Sequence, residues 1–163
     1  MEKNKIRKIY ETLERNVLIL IAIPIPFFAV IFLSSQNGTI DFDIPEFPAF
    51  WDYLGLVFVF ALLGLHYIVF HSEINKINTR NFDLESKVKM YAKATISRFW
   101  ILFVSVFICA AGLLFFKNSG YTIAFAITLV FSSLGKPTPD RIIRLLRLKG
   151  EEKEEIEKLK RPA

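Results

Sequence analysis

Residues 99–134 read FWILFVSVFICAAGLLFF, then KNS, then GYTIAFAITLVFSSL, and these two apolar runs around a three-residue polar link decide the fold class. Neither run contains Asp, Glu, Lys or Arg. Two more charge-free blocks precede them, at residues 17–33 and 53–70; with Trp51 and Asp52 at its edge the second is 20 residues long, and the others are 17, 18 and 15. A hydrocarbon core of ~30 Å takes about 20 helical residues, with roughly 17 as the lower limit. Three blocks meet that length. The last reaches only about 22 Å at ~1.5 Å per residue, so it needs its flanks or a locally thinner bilayer. The expectation is an all-α membrane protein with four transmembrane helices over residues 17–33, 51–70, 99–116 and 120–134. A chain of 163 residues, 53% hydrophobic, is too small to wrap four such helices as a soluble core.

The basic residues orient the spans. Five Lys or Arg precede the first block, six lie in residues 71–98 and nine follow the last block, whereas the outer connections hold only Lys117. Loops rich in Lys and Arg stay on the cytosolic side, which places both termini inside. The net charge of +5 is thereby a topology signal rather than a nucleic-acid footprint. Sixteen mixed-charge residues before the first block, and no small-residue cleavage pattern after it, read as a retained span rather than a signal peptide. A bacterial cytoplasmic membrane is the expected location.

Local patterns fill in the rest. Ile6, Ile9, Tyr10, Leu13 and Val17 share one helical face, and Pro24 and Pro26 predict a kink in the first span. Residues 71–98 predict a cytosolic hairpin turning at Asn78–Asn81. Asp83 is its second helix's N-cap, and Leu84, Val88 and Tyr91 form an apolar stripe flanked by lysines. Residues 1–135 thus form the transmembrane domain and 136–163 a helical tail. Thr138 and Pro139 start the tail's first helix, an amphipathic segment over 138–149. Ile142, Ile143, Leu145 and Leu146 face opposite Arg141, Arg144 and Arg147, suited to an anionic inner leaflet, and Gly150 is its stop. Glu154–Lys158 and Glu157–Arg161 pairs at i,i+4 support a last charged helix.

Few residues could carry chemistry. His66 is the one ionisable side chain well inside a span, and such residues are functional candidates; the alternative is a neutral imidazole bonded to a neighbouring helix. Pro24 and Pro26 could mark a broken, ligand-binding helix or only a packing kink. Ser105, Cys109 and Gly112, with Ala124, Thr128 and Ser132, are small-residue stripes suited to close helix approach. Cys109, the only cysteine, forms no intramolecular disulfide. Asp41, Asp43 and Glu46 read as a solvated acidic loop, and Asn37-Gly38-Thr39 is an outer glycosylation sequon. No cofactor or metal set is visible. The chain also lacks the membrane-buried Glu of small four-span multidrug exporters, the cysteine pairs of thiol oxidases and the Cys-rich loop of tetraspanins. The expected role is a non-catalytic scaffold or assembly subunit at the inner membrane surface. It would contact lipids and other membrane proteins, or its own copies, through Leu84, Val88, Tyr91, Arg141, Arg144 and Arg147. The alternative is a small oligomeric pore or transporter using Pro24, Pro26 and His66.

Overall fold

The computed structural model describes residues 2–38 and 47–160, and every regular element among them is helical. In chain order these are α1 (Glu2–Ala22), α2 (Pro24–Gln36), α3 (Ala49–Thr79), α4 (Leu84–Phe116), α5 (Gly120–Gly135), α6 (Pro139–Leu145) and α7 (Gly150–Glu157), with a 3₁₀ turn at Lys158–Lys160. Three helical runs are long and apolar enough to cross a membrane: Asn4–Gln36, Ala49–Thr79 and Leu84–Phe116. Gly120–Gly135 is apolar but shorter. The acidic loop around Asp41, Asp43 and Glu46, and Thr39 of the sequon, lie outside the described residues.

Exposure supports a lipid-facing surface. The large exposed hydrophobics fall inside the four charge-free blocks, apart from Phe47, Phe50 and Trp51 flanking the second. An apolar belt of that extent marks an interaction or membrane surface rather than a water-facing one.

The core is built around α4. Of its apolar window 44% is buried, against 17% for the first run and 22% for α3. The reason is its sequence: Ser105, Cys109, Gly112, Ala94 and Ala110 are small enough for neighbours to approach on several sides, and all are buried. The opposing stripe of α5, Ala124, Thr128 and Ser132, is buried too. Its hydroxyls do not seek partners across the interface. Thr128 donates to the Ala124 carbonyl at 2.8 Å and Ser132 to the Thr128 carbonyl at 2.9 Å, while Ser105 donates to the Ile101 carbonyl at 2.8 Å. Each polar group is satisfied by its own helix.

Pro24 and Pro26 interrupt the first run where the sequence indicates. Ile23 still bonds the Ile19 carbonyl at 3.1 Å, and α2 restarts with Pro24 at its first position. Phe28 then stacks on Phe125 of α5, with centroids 3.7 Å apart.

At one end of the bundle, here the hairpin end, α3 and α4 meet across residues 80–83. Asp83 caps α4 as expected, accepting the Ser86 N–H at 3.1 Å, while the turn itself falls two residues later than the predicted Asn78–Asn81. The Ser86 side chain, and then its N–H, hold the Asp83 carboxyl below its ordinary value of 3.8. At the opposite end Tyr121 seals α5 onto its neighbours. Its ring lies over Gly112, its hydroxyl donates to the Asp52 carbonyl at 2.9 Å, and Asn118 donates to the Asp52 carboxylate at 2.7 Å.

The tail departs from the expected 138–149 helix. Thr138 caps it, accepting the Arg141 N–H at 3.3 Å, but α6 stops at Leu145 rather than at Gly150. Arg147 takes the left-handed conformation at φ 53° and Leu148 bonds back to the Ile143 carbonyl at 3.0 Å. This is a Schellman closure with an arginine where glycine is usual. Gly150, at φ 56°, instead opens α7. The apolar arc of α6 is not turned outward: Ile142 is 0% and Leu146 4% exposed. In α7 the i,i+4 pair present is Lys153–Glu157 at 3.6 Å; Arg161 of the expected Glu157–Arg161 pair lies outside the described residues.

Candidate functional site

The hairpin end gathers most of the residues singled out from sequence. The stripe of Val88 and Tyr91, expected as a docking surface, is fully buried, with Leu84 partly so. What covers it is the chain itself. The face of α1 carrying Ile6, Tyr10, Leu13 and Val17 is buried against α4, and Lys5 reaches Glu85 at 3.7 Å. On the other side Asn78 of α3 donates to the Leu145 carbonyl at 2.9 Å, and Lys87 of α4 holds Glu152 of α7 at 2.8 Å. Helices extended past the apolar blocks, the start of α1 and the tail therefore form one packed body.

Two grooves open on that body. The first, of about 420 Å³, runs between α1 and α4. Ile9, Leu13, Ala92 and Ile96 floor it, and the exposed Lys5, Lys8 and Lys89 rim it together with one acid, Glu85, which pairs Lys5. The second, of about 480 Å³, lies where α5 gives way to α6 and is lined by Ser133, Leu134, Lys136, Thr138, Arg141 and Arg144, with Asp140 at its edge. Asp140 is already engaged by Lys160 at 2.6 Å.

Behind the second groove is a buried polar cluster that the sequence reading missed. Arg98 is 4% exposed and donates to the Phe131 carbonyl of α5 at 3.5 Å, with its guanidinium 5.0 Å above the Phe70 ring. Arg141 comes in from α6, bonded to the Leu134 carbonyl and electrostatically coupled to Tyr91 and Arg98. Both arginines thus cap the C-terminal carbonyls of α5, where cations are favoured. The cap leaves donors over. Among the described residues the Nε atoms of Arg98 and Arg141 and the Tyr91 and Thr95 hydroxyls are buried without a hydrogen bond of good geometry, although Thr95 and Arg141 both lie against the Tyr91 hydroxyl. Among the described residues neither arginine has a carboxylate partner. A charge as buried as that of Arg98 ordinarily has one.

His66 sits one layer deeper. It is fully buried, its ring 4.9 Å from Phe131, and both ring nitrogens lack a hydrogen bond among the described residues. The nearest backbone carbonyls, of Leu62 and Leu63, do not meet it in bonding geometry. The proline break is apart from His66 and filled: Leu20, Ile21, Pro24 and Ile25 close against α4 and α5 around a void of about 10 Å³. That is at most the room one water needs. Cys109 is buried, with no base among the bonds it makes. Arg144 and Arg147 are exposed, and only Arg144 of the two lines the second groove. Among the described residues no His, Cys, Asp and Glu side chains group as a metal site. No family model, curated protein or solved structure matches the chain.

Proposed function

We propose that the chain is a four-span protein of the bacterial cytoplasmic membrane, both termini inside, that works as a non-catalytic assembly subunit. The α5 helix is its short fourth span. The hairpin end is then the cytosolic end, rich in Lys and Arg as cytosolic segments are. One observation carries the reading: the extended helices, the start of α1 and the tail form a body bearing a lysine-rimmed, apolar-floored groove between α1 and α4. Such a groove matches a partner segment with acidic residues flanking an apolar face, by charge complementarity and by an anchor buried at its floor. This surface replaces the Leu84–Val88–Tyr91 stripe, which the chain covers itself. Anionic inner-leaflet lipids, attracted by Arg141, Arg144 and Arg147, would hold the body at the membrane.

A second reading, a small oligomeric pore or transporter, is favoured by one fact: His66 is buried with neither nitrogen hydrogen-bonded among the described residues. Against it stands the filled proline break. The two separate in one experiment on the full chain in native membranes. A photo-crosslinking residue at Thr12, within the first groove, should give one discrete adduct. Lys8→Glu with Lys89→Glu should abolish it, while His66→Ala should not. An adduct insensitive to the double charge reversal, or solute flux lost with His66→Ala and kept in the reversal variant, would replace the assembly reading with the transport one.

A further inference from the structure

We infer that the second groove is a binding site for a phosphate group, that of an anionic phospholipid. Position is the first argument. The charge-free block of α5 ends at Leu134, which is 63% exposed and forms one wall of the groove. On the four-span reading this is where the chain leaves the hydrocarbon, so the groove lies at phosphate depth. Basic pockets between spans at the cytosolic face are the usual seats of such headgroups.

Charge is the second argument. Lys136, Arg141 and Arg144 line the groove and Arg98 stands directly behind it, its guanidinium carbon 3.2 Å from where a Cβ on Gly135 would lie. The one acid at the edge, Asp140, is matched by Lys160. The end of α5 contributes only about −0.5 charge. Three cations therefore line the groove, with Arg98 behind them, against one neutralised carboxylate and half a dipole charge.

Geometry is the third. Arg141 donates to the Leu134 carbonyl and its side chain also meets the Tyr91 hydroxyl, yet among the described residues no carboxylate pairs with it or with Arg98 behind it. Arg141 and Arg144 both line the groove, and a guanidinium is suited to a tetrahedral oxyanion, which accepts two parallel bonds from it. A phosphodiester would supply the missing counter-charge. Its acyl chains would run along the exposed face of α5, where Ile123, Val130 and Leu134 are open.

The reading of the spans sets only the depth of this site; the binding itself is measured in detergent, so the two can fail separately. Delipidated full-length protein would be titrated with phosphatidylglycerol, phosphatidylcholine or inorganic phosphate and followed by native mass spectrometry. Phosphatidylglycerol should be retained in preference to phosphatidylcholine. Arg144→Met and Lys136→Met, both at exposed positions, should each weaken it roughly five-fold, and together roughly twenty-five-fold. Lys149→Met, outside the groove, should leave it unchanged. Equal retention of phosphatidylcholine, or undiminished binding in the double variant, would overturn the site. Displacement of the lipid by millimolar inorganic phosphate would assign the groove to a free anion and overturn the lipid.

Discussion

The Tyr121 lock allows a sharp test, because the same substitution should have opposite signs at two glycines. A Cβ added at Gly112 would overlap Cδ1, Cε1 and Cζ of the Tyr121 ring, whereas one added at Gly64 meets nothing within 4 Å. Tyr121 cannot swing aside cheaply. It is 1% exposed, and moving its ring breaks the hydroxyl bond to the Asp52 carbonyl. Overpacking of this kind costs about 1–3 kcal/mol, and the lost hydrogen bond adds about 1 kcal/mol. Against that, Ala is favoured over Gly in a helix by up to about 1 kcal/mol. Gly112→Ala should therefore lose roughly 1–3 kcal/mol net, while Gly64→Ala is neutral or gains. For a chain of this size each kcal/mol moves Tm by about 2–4 °C, so thermal unfolding in detergent, followed by tryptophan fluorescence, resolves the difference. In a Tyr121→Ala background the clash is gone, and Gly112→Ala should become neutral or stabilising. A raised Tm for Gly112→Ala in the otherwise native chain would refute the seating of Tyr121 on that glycine.

Cysteine placed at Asn37 should react with a membrane-impermeant thiol reagent in intact cells and cysteine at Thr79 or Gly150 should not; labelling at Thr79 would reject the proposed orientation. The Asp83 cap contributes fully above the ordinary carboxylate value of 3.8 and is lost as pH falls through its lower folded value. An Asp83→Asn variant should thus unfold with a shallower pH dependence in that acid range, and an unchanged profile would show that the cap is idle. Breaking the Lys87–Glu152 pair with Lys87→Glu should speed proteolysis of the tail, and adding Glu152→Lys should restore resistance; no restoration would mean that the pair does not hold α7. Val88→Ser, at a position 0% exposed, should lower Tm by several degrees, since burying an unpaired hydroxyl costs about 1–3 kcal/mol. An unchanged Tm would show the α1–α4 seam to be open in solution.

What could be read from the sequence was local. Asp83 and the Thr138–Pro139 start are legible because a cap needs only its own turn. The small stripes of α4 and α5 are legible because helical periodicity alone sets one face. The covering of Val88 and Tyr91 is a different matter. Periodicity shows that a face is buried but not by what, although a signal was present: Ile6, Tyr10 and Leu13 form a second lysine-flanked apolar face just ahead of the first apolar block. Arg98 escaped because the charge-free block begins at Phe99, so a residue on the boundary was counted with the loop. Its burial depends on α5 ending beside it, a tertiary fact. Arg147 escaped because nothing in an arginine announces a left-handed backbone, which here is imposed by the burial of Leu148 just beyond it.

The link between α4 and α5 is only Lys117, Asn118 and Ser119, with Lys117 itself in the left-handed region at φ 52°. This brevity bears on how the protein is made. On the four-span reading α5 is too short to partition well alone, and its tether leaves no slack for it to wait outside the bilayer while α4 settles. The pair must enter as a single antiparallel unit, with the Tyr121 and Asn118 contacts to Asp52 formed only when that unit meets α3. Biogenesis of this chain accordingly has a late commitment point. Until α5 has emerged from the ribosome, α4 can pack on α1, α2 and α3 but its small-residue face toward α5 stays open, and a chain interrupted before residue 120 presents the insertion machinery with an unfinished protein.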